Sequence, residues 1–354
     1  MSDLAELLPH AVEPGSGHHT RLSERIDARL ASIVATPSGS AGWERSRARR
    51  AEADRLAEEV VGLLVTRLLR TQIVGAGVFD GAHALLASLA RRARVPEVAL
   101  VHTQGSETTD PGRGSVAVRF PGAGVWDLPF LAHEFGHHAV AHLEDERRPV
   151  LGAVVDVVAD VSSGRGSSPD VDRAHAEELV ADAVATVCLG SVYPLACLCL
   201  RAPRDGEAAT SNATHPSWRH RVSTMRATLD ALTSRTGRGR YRRDRHALVD
   251  PVALDVLGVL PSGYPPAVEA AEGVVEVAWR HRRSLIYDDG DAAIGVAAAL
   301  ARGDRAVPPG VAAPAVVDGA WRWRLDGHGT PTPRLVAAAE SSVIDYLLGA
   351  AEVP

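Results

Sequence analysis

A chain of 354 residues can bury a sizeable core, in one large domain or in two to three ordinary ones. Hydrophobic residues at 45% and charged residues at 23% exclude a wholly disordered protein. A formal charge of −6, with both signs mixed along the chain, selects neither an acidic nor a basic partner.

No apolar run reaches the roughly 18 to 20 residues of a membrane helix. The most apolar stretch, LVADAVATVCLGSVYPLACLCLRA, is interrupted by Asp182, Gly190 and Pro194. The opening MSDLAELLPHAVEPGSGHHT lacks the basic and apolar regions of a secretory signal. A cytoplasmic protein with no integral membrane segment is therefore expected. Cys188, Cys197 and Cys199 all lie in the apolar stretch, where an odd number of thiols reads as small buried core residues rather than a disulfide framework.

After a flexible start over residues 1–19, the spacing of Leu, Ile and Val is helical from about Arg21 to Ala90, ending in FDGAHALLASLARRA. VPEVALVHT and GSVAVRFPG are short, Val-rich and bounded by Pro and Gly, and predict two strands joined by a turn or short loop, QGSETTDPGR. In WDLPFLAHEFGHHAVAHLEDE, Asp127 is placed to cap a helix and Pro129 falls in its first turn, where a missing N–H costs nothing. A second apolar stretch, PVLGAVVDVVADV, leads to a loop, and a long helix is predicted from about Val171 to Leu189, with a break at Gly190 or Pro194. HPSWRHRVSTMRATLDALTSR restarts a helix, for which Thr214 and Pro216 offer a cap and a first turn. The run RTGRGRYRRDRH reads as a solvated linker and a boundary, although its six arginines around a tyrosine also suit a nucleic-acid contact. Helical stretches and turns alternate to the end, and AWRWRL suits a short amphipathic strand, an exposed aromatic surface or core packing.

The chemistry concentrates in HEFGHH. His133 and His137 are four residues apart, so on a helix both imidazoles project from one face and can hold one cation. Glu134 is rotated away from that cation but within reach of a water beside it, which suits a general base. Gly136 removes a side chain next to the metal-binding turn. A third histidine within the next six residues is missing, because Val140 and Leu143 occupy the positions a Gly and a His would need. His138 and His142 are expected at the surface or behind the ligands.

The third donor is expected downstream, in AHAEELVADAVAT, where Glu178 and Asp182 repeat the four-residue spacing. Glu178 can complete a His-His-Glu site, and Asp182 can accept the second N–H of a ligand histidine and fix its tautomer. Acids on an Ala- and Val-rich helix are costly to bury unless a cation neutralises them. The competing reading makes Glu177, Glu178 and Asp182 an exposed acidic face.

HEFGHH followed by EELVAD resembles the gluzincin zinc peptidases, in which HExxH on one helix is joined by Glu from an ExxxD segment on another. THPSWRHRV, from Thr214 to Val222, is similar to the THPxxxxRI segment of the Ste24/HtpX-like peptidases, the family of the CAAX prenyl proteases. The resemblance covers about residues 126–222 and implies zinc on His133, His137 and Glu178, Glu134 as base, and Asp182 in support. It also implies His215 or Arg221 near the site, stabilising an oxyanion or bracing the acids. Members of that family usually carry membrane helices, and this chain shows none.

The expected fold is α+β and predominantly helical. An N-terminal helical region (1–95) precedes a minimal zinc metallopeptidase domain with a small sheet (96–235) and a mainly helical C-terminal region (236–354). The strand GSVAVRFPG, placed at a sheet edge, would pair with an extended substrate. The expected activity is zinc-dependent hydrolysis of a protein or peptide, without nucleic acid. The alternatives are a catalytically silent zinc-containing interaction module and a nucleic-acid-binding protein.

Overall fold

The computed structural model describes residues 76–102, 108–110, 115–118, 124–145, 148–163, 168–203, 208, 210–261, 263–304, 310–325 and 333–351, with scattered helical positions between 26 and 61. The expected flexible start and most of the helical pattern before residue 76 lie outside the described residues.

The fold is α+β and predominantly helical. Helix α1 (Ala76–Ala93) leads into strand β1 (Ala99–His102), and β2 (Thr108–Asp110) and β3 (Ser115–Val118) complete a three-stranded sheet. β1 runs parallel to β3 with Leu100 opposite Val116, and β2 runs antiparallel to it with Thr109 opposite Val116. Two expectations are corrected here. The segment read as a turn contains β2, whose paired β-branched threonines suit a strand. The strand expected at an edge is the central one, so both its sides are already paired and no substrate can add to it.

A 3-10 turn (Val125–Asp127) precedes α2 (Leu128–His142), and the short hairpin β4 (Glu144–Asp145) and β5 (Arg148–Pro149) leads to α3 (Val150–Ser162). Helix α4 (Pro169–Leu189) is the axis of the molecule, in contact with α2, α3 and two later helices, α6 (Trp218–Thr236) and α9 (Pro265–His281). From Glu178 to Leu189 every residue of α4 is buried, Glu178 and Asp182 included, because other helices pack on all sides of it. The Ser168 hydroxyl caps it by accepting from Val171 N, and Asp170 and Asp172 sit at the positive end of its dipole.

The chain leaves α4 at Gly190, whose φ of +63° favours glycine, and turns by 118° into α5 (Val192–Ala196) and a π-helical turn (Cys197–Arg201). Pro194 lies inside α5 and breaks nothing. Among the described residues no single helix is long and apolar enough to cross a membrane, although α4 and its bent continuation pass that test together. Cys188 and Cys197 are buried, and burial pushes both thiols up to about 12, while Cys199 departs from the expected core role and is exposed.

The basic run is not a linker. It forms α7 (Arg240–Asp244) and a π-helical turn (Arg245–Val249), followed by α8 (Asp250–Leu257). Tyr241 is buried and donates to Tyr287 O, Arg240 also bonds Tyr287 O, and Arg245 pairs with Asp230. The run is solvated as expected, with Arg235, Arg238, Arg242 and Arg243 exposed, but short sequence windows miss its folding because Tyr287 and Asp230 are distant in the chain.

The remaining helices are α10 (Gly290–Arg302), α11 (Ala313–Leu325) and α12 (Pro333–Ala351). AWRWRL is helical rather than extended, with Trp321 buried. Trp126, just before α2, stacks on Trp323 at 6.2 Å, meets Trp321 edge-on, and donates its indole N–H to Glu340 Oε1 of α12 at 2.7 Å. The C-terminal helices thus hold the entry to the helix that carries HEFGHH.

Candidate metal centre

Helix α2 presents His133, Glu134 and His137, with Pro129 in its first turn. Asp127 occupies the N-cap position in helical conformation and makes no side-chain cap bond, in contrast to the capping role read from its position. Where α2 crosses α4, Gly136 faces Ala181. A Cβ at Gly136 would lie 2.8 Å from Ala181 Cα and 2.9 Å from Ala181 O, closer than nonbonded atoms approach. The glycine therefore lets the histidine helix and the acid helix touch.

That contact converges three donors. His133 Nε2 and His137 Nε2 are 3.3 Å apart, Glu178 Oε2 is 3.3 Å from His133 Nε2, and Glu178 Oε1 is 3.3 Å from His137 Nε2. Tetrahedral metal–ligand bonds of about 2.0–2.1 Å place donor atoms about 3.3–3.4 Å from each other; the two imidazole nitrogens are at that separation, each with one oxygen of the Glu178 carboxylate 3.3 Å away. Glu178 Oε2 is also buried without a hydrogen-bond partner, an arrangement that costs free energy unless a cation meets it. His133, His137 and Glu178 are therefore a group that could hold a metal ion.

Behind the triangle, Asp182 is fully buried. Its Oδ1 lies 2.9 Å from His133 Nδ1, the geometry that protonates Nδ1 and turns the Nε2 lone pair toward the other donors. Arg221, from α6, grips the same carboxylate twice, Nε to Oδ2 at 2.8 Å and Nη2 to Oδ1 at 2.7 Å, and is itself buried. Its Nη2 is 3.8 Å from Glu178 Oε2. Of the two roles open to Arg221, bracing the acids is the one this geometry supports.

Burial disfavours charge on all of these groups, and the pairing outweighs it. His133 is raised from 6.5 to about 10 because Glu178 and Asp182 more than offset its desolvation. Glu178 is held well below the usual carboxylate range, with His133 and then His137 and Arg221 overcoming burial. Asp182 is likewise lowered, chiefly by Arg221. The exposed acidic face is thereby overturned, since Glu178 and Asp182 are both buried.

His215 stands at the rim. Its side chain is 53% exposed and its Nε2 lies 3.7 Å from Glu178 Oε1. Neither Thr214 nor Pro216 starts α6; the Ser217 hydroxyl caps it by accepting from His220 N, and Thr214 belongs to the preceding turn. Glu134 is buried on α2, next to His133 in the chain and on the same helix as His137. His138, expected at the surface or near the ligands, is fully buried, with Nε2 3.0 Å from Pro96 O.

Tyr193 escaped the sequence reading. The 118° turn after Gly190 brings its hydroxyl back to donate to Asp182 Oδ1 at 2.5 Å, 3.1 Å from His133 Nδ1. Burial and the neighbouring Asp182 push this phenol well above its ordinary value, so it stays a donor. The available signal was a tyrosine inside an apolar stretch, because a buried hydroxyl must find a partner.

The chain matches no protein-family model, no curated protein and no solved structure.

Proposed function

We propose that the chain is a zinc-dependent metallopeptidase of the gluzincin kind, akin to the Ste24/HtpX-like group, acting on a protein or peptide in the cytoplasm. The observation that carries this reading is the convergence of His133, His137 and the Glu178 carboxylate, whose oxygens each lie 3.3 Å from one imidazole Nε2, with Glu134 on the helix of the two histidines. Two imidazoles and one carboxylate are a donor set suited to zinc that leaves a fourth position open. When bound there, zinc supplies Lewis acidity toward a peptide carbonyl and toward water.

The chain's own residues do the rest. Asp182 holds His133 in the tautomer that ligates through Nε2, while Arg221 and Tyr193 keep Asp182 ionised and oriented. Glu134 takes a proton from the attacking water as the new C–O bond forms, and delivers it to the amine nitrogen as the C–N bond breaks.

Glu134→Gln separates a base from a ligand. The variant is expected to bind zinc as tightly as the parent and to lose hydrolysis of an unfolded protein substrate by at least about a hundredfold. Zinc retained in both forms with no hydrolysis by either would instead identify a non-catalytic metal module.

A further inference from the structure

Two partly buried aromatics continue the metal-site face of α2 past its N-terminus. Trp126, Phe130 and Glu134 follow one another at four-residue steps, the spacing that keeps side chains on one side of a helix, and His133 and His137 lie on that same side. Val125, Leu128 and Leu131, which face elsewhere, are buried. Trp126 and Phe130 pack against the core but keep part of their surface exposed, as does Trp323, which stacks on Trp126.

The segment that supplies Tyr193 borders this strip. Tyr193 lies beside His133, with ring centroids 6.1 Å apart, and further along the same segment the guanidinium of Arg201 covers Phe130, 4.4 Å from the ring centroid. The α5 helix and its π-helical continuation therefore run beside α2 from the metal donors to Phe130. At the far end Arg324 covers Trp126 at 5.3 Å, and the Trp126 N–H is committed to Glu340. What Trp126 offers a ligand is its ring.

The spacing of the strip selects its occupant. With a rise of about 1.5 Å per residue in the α-helix and about 2.0 Å in the 3-10 turn, Phe130 and Trp126 are about 6–7 Å apart along the axis. An extended peptide repeats its side chains on one face every two residues, over about 6.6–6.8 Å. Phe130 is in turn only about 4.5 Å along the axis from His133. A strand laid on this face with its reacting carbonyl at the metal donors sets one side chain on Phe130 and the next from the same face on Trp126 and Trp323.

We propose that Phe130, and Trp126 with Trp323 beyond it, are specificity-determining residues that select an extended peptide carrying apolar or aromatic side chains at two positions separated by one residue, both on the same side of the cleaved bond. This rests on the peptidase reading and deepens it by naming the substrate class. Two adjacent aromatics would point to opposite faces of the strand, so only one of them would be seated.

Short fluorescein-labelled peptides of alanine and serine, carrying Phe-Ala-Phe, Phe-Phe or a single Phe, test the strip by anisotropy on the full chain stripped of metal, where nothing is turned over. The Phe-Ala-Phe peptide is expected to bind about tenfold more tightly than the other two, the worth of burying part of a second aromatic side chain. Phe130→Ala and Trp323→Ala are each expected to bring the three peptides within about twofold of one another, while Phe130→Leu keeps most of the preference. Equal binding of the three by the parent chain overturns the proposal, whether or not any variant folds. A sedimentation mass of two chains that falls to one in Trp323→Ala would place a second copy on the strip and also overturn it. With zinc added, hydrolysis of all three peptides at equal kcat/KM would overturn the strip and leave the peptidase reading standing. The binding preference without hydrolysis would uphold the strip as a peptide site and sink the peptidase reading.

Discussion

Asp182 shows how the site works at the scale of single residues. It accepts from His133, Tyr193 and Arg221 within 2.9 Å, so a carboxylate costly to bury becomes the group that orients a ligand. Its spacing from Glu178 and its bond to a histidine were legible in the sequence, and the family resemblance offered Arg221 as a brace; Tyr193 was not legible, because it reaches Asp182 only after a chain reversal. The charge pattern predicts a pH response of the metal-free protein. His133 is raised from 6.5 to about 10, so its stabilising contribution is complete below 6.5 and lost as pH climbs through 10. Glu178 and Asp182 are lowered from 4.5 and 3.8, so theirs is complete above those values and lost as pH falls below them. Because a metal takes the place of the proton on His133 Nε2, saturating zinc should flatten the alkaline limb. Thermal midpoints of chelator-treated and zinc-loaded protein across this range check both limbs; a metal-free midpoint that does not fall between 6.5 and 10 would count against the arrangement.

Among the elements, the seam between α2 and α4 matters most. Gly136→Ala places a methyl against the backbone of Ala181, which cannot swing aside as a side chain can. The helices must separate, at a cost of about 1–3 kcal/mol, and His137 moves away from Glu178. Gly295→Ala in α10 is the matched control: nothing lies within 4 Å of the added Cβ, and the better helix former should stabilise by about 0.5–1 kcal/mol. Urea midpoints together with zinc affinity from a competing chelator distinguish the two, since only the first variant should lose both. Most helices here were legible because apolar spacing is a local property. The three-residue strand β2 and the central place of β3 were not, since strand pairing is decided by partners elsewhere in the chain.

Across the whole molecule, the C-terminal helix closes on the first. Val343, Tyr346 and Leu347 of α12 are fully buried, and Ile344 packs so closely on Gly77 of α1 that a Cβ there would lie 2.8 Å from its Cγ2. At roughly 1.5–3 kcal/mol for each fully buried large side chain, losing these three approaches the whole stability of an ordinary domain, about 5–15 kcal/mol. Truncation after Leu325 should therefore lower the urea midpoint of the entire chain and weaken zinc binding together, because Trp126 at the head of α2 loses Glu340. A truncated chain with an unchanged midpoint would show α12 to be an appendage. The sequence by itself determined the helical character, the residue types that could hold a metal and their four-residue spacings, since each depends on neighbours within one or two turns. Only the tertiary structure decided that His133, His137 and Glu178 meet within 3.3 Å, that Arg221 and Tyr193 share Asp182, and that the arginine-rich run is a folded helix. Burial is the physical reason: a polar group removed from water must find its partner wherever the chain brings one, and that distance in sequence has no local signature.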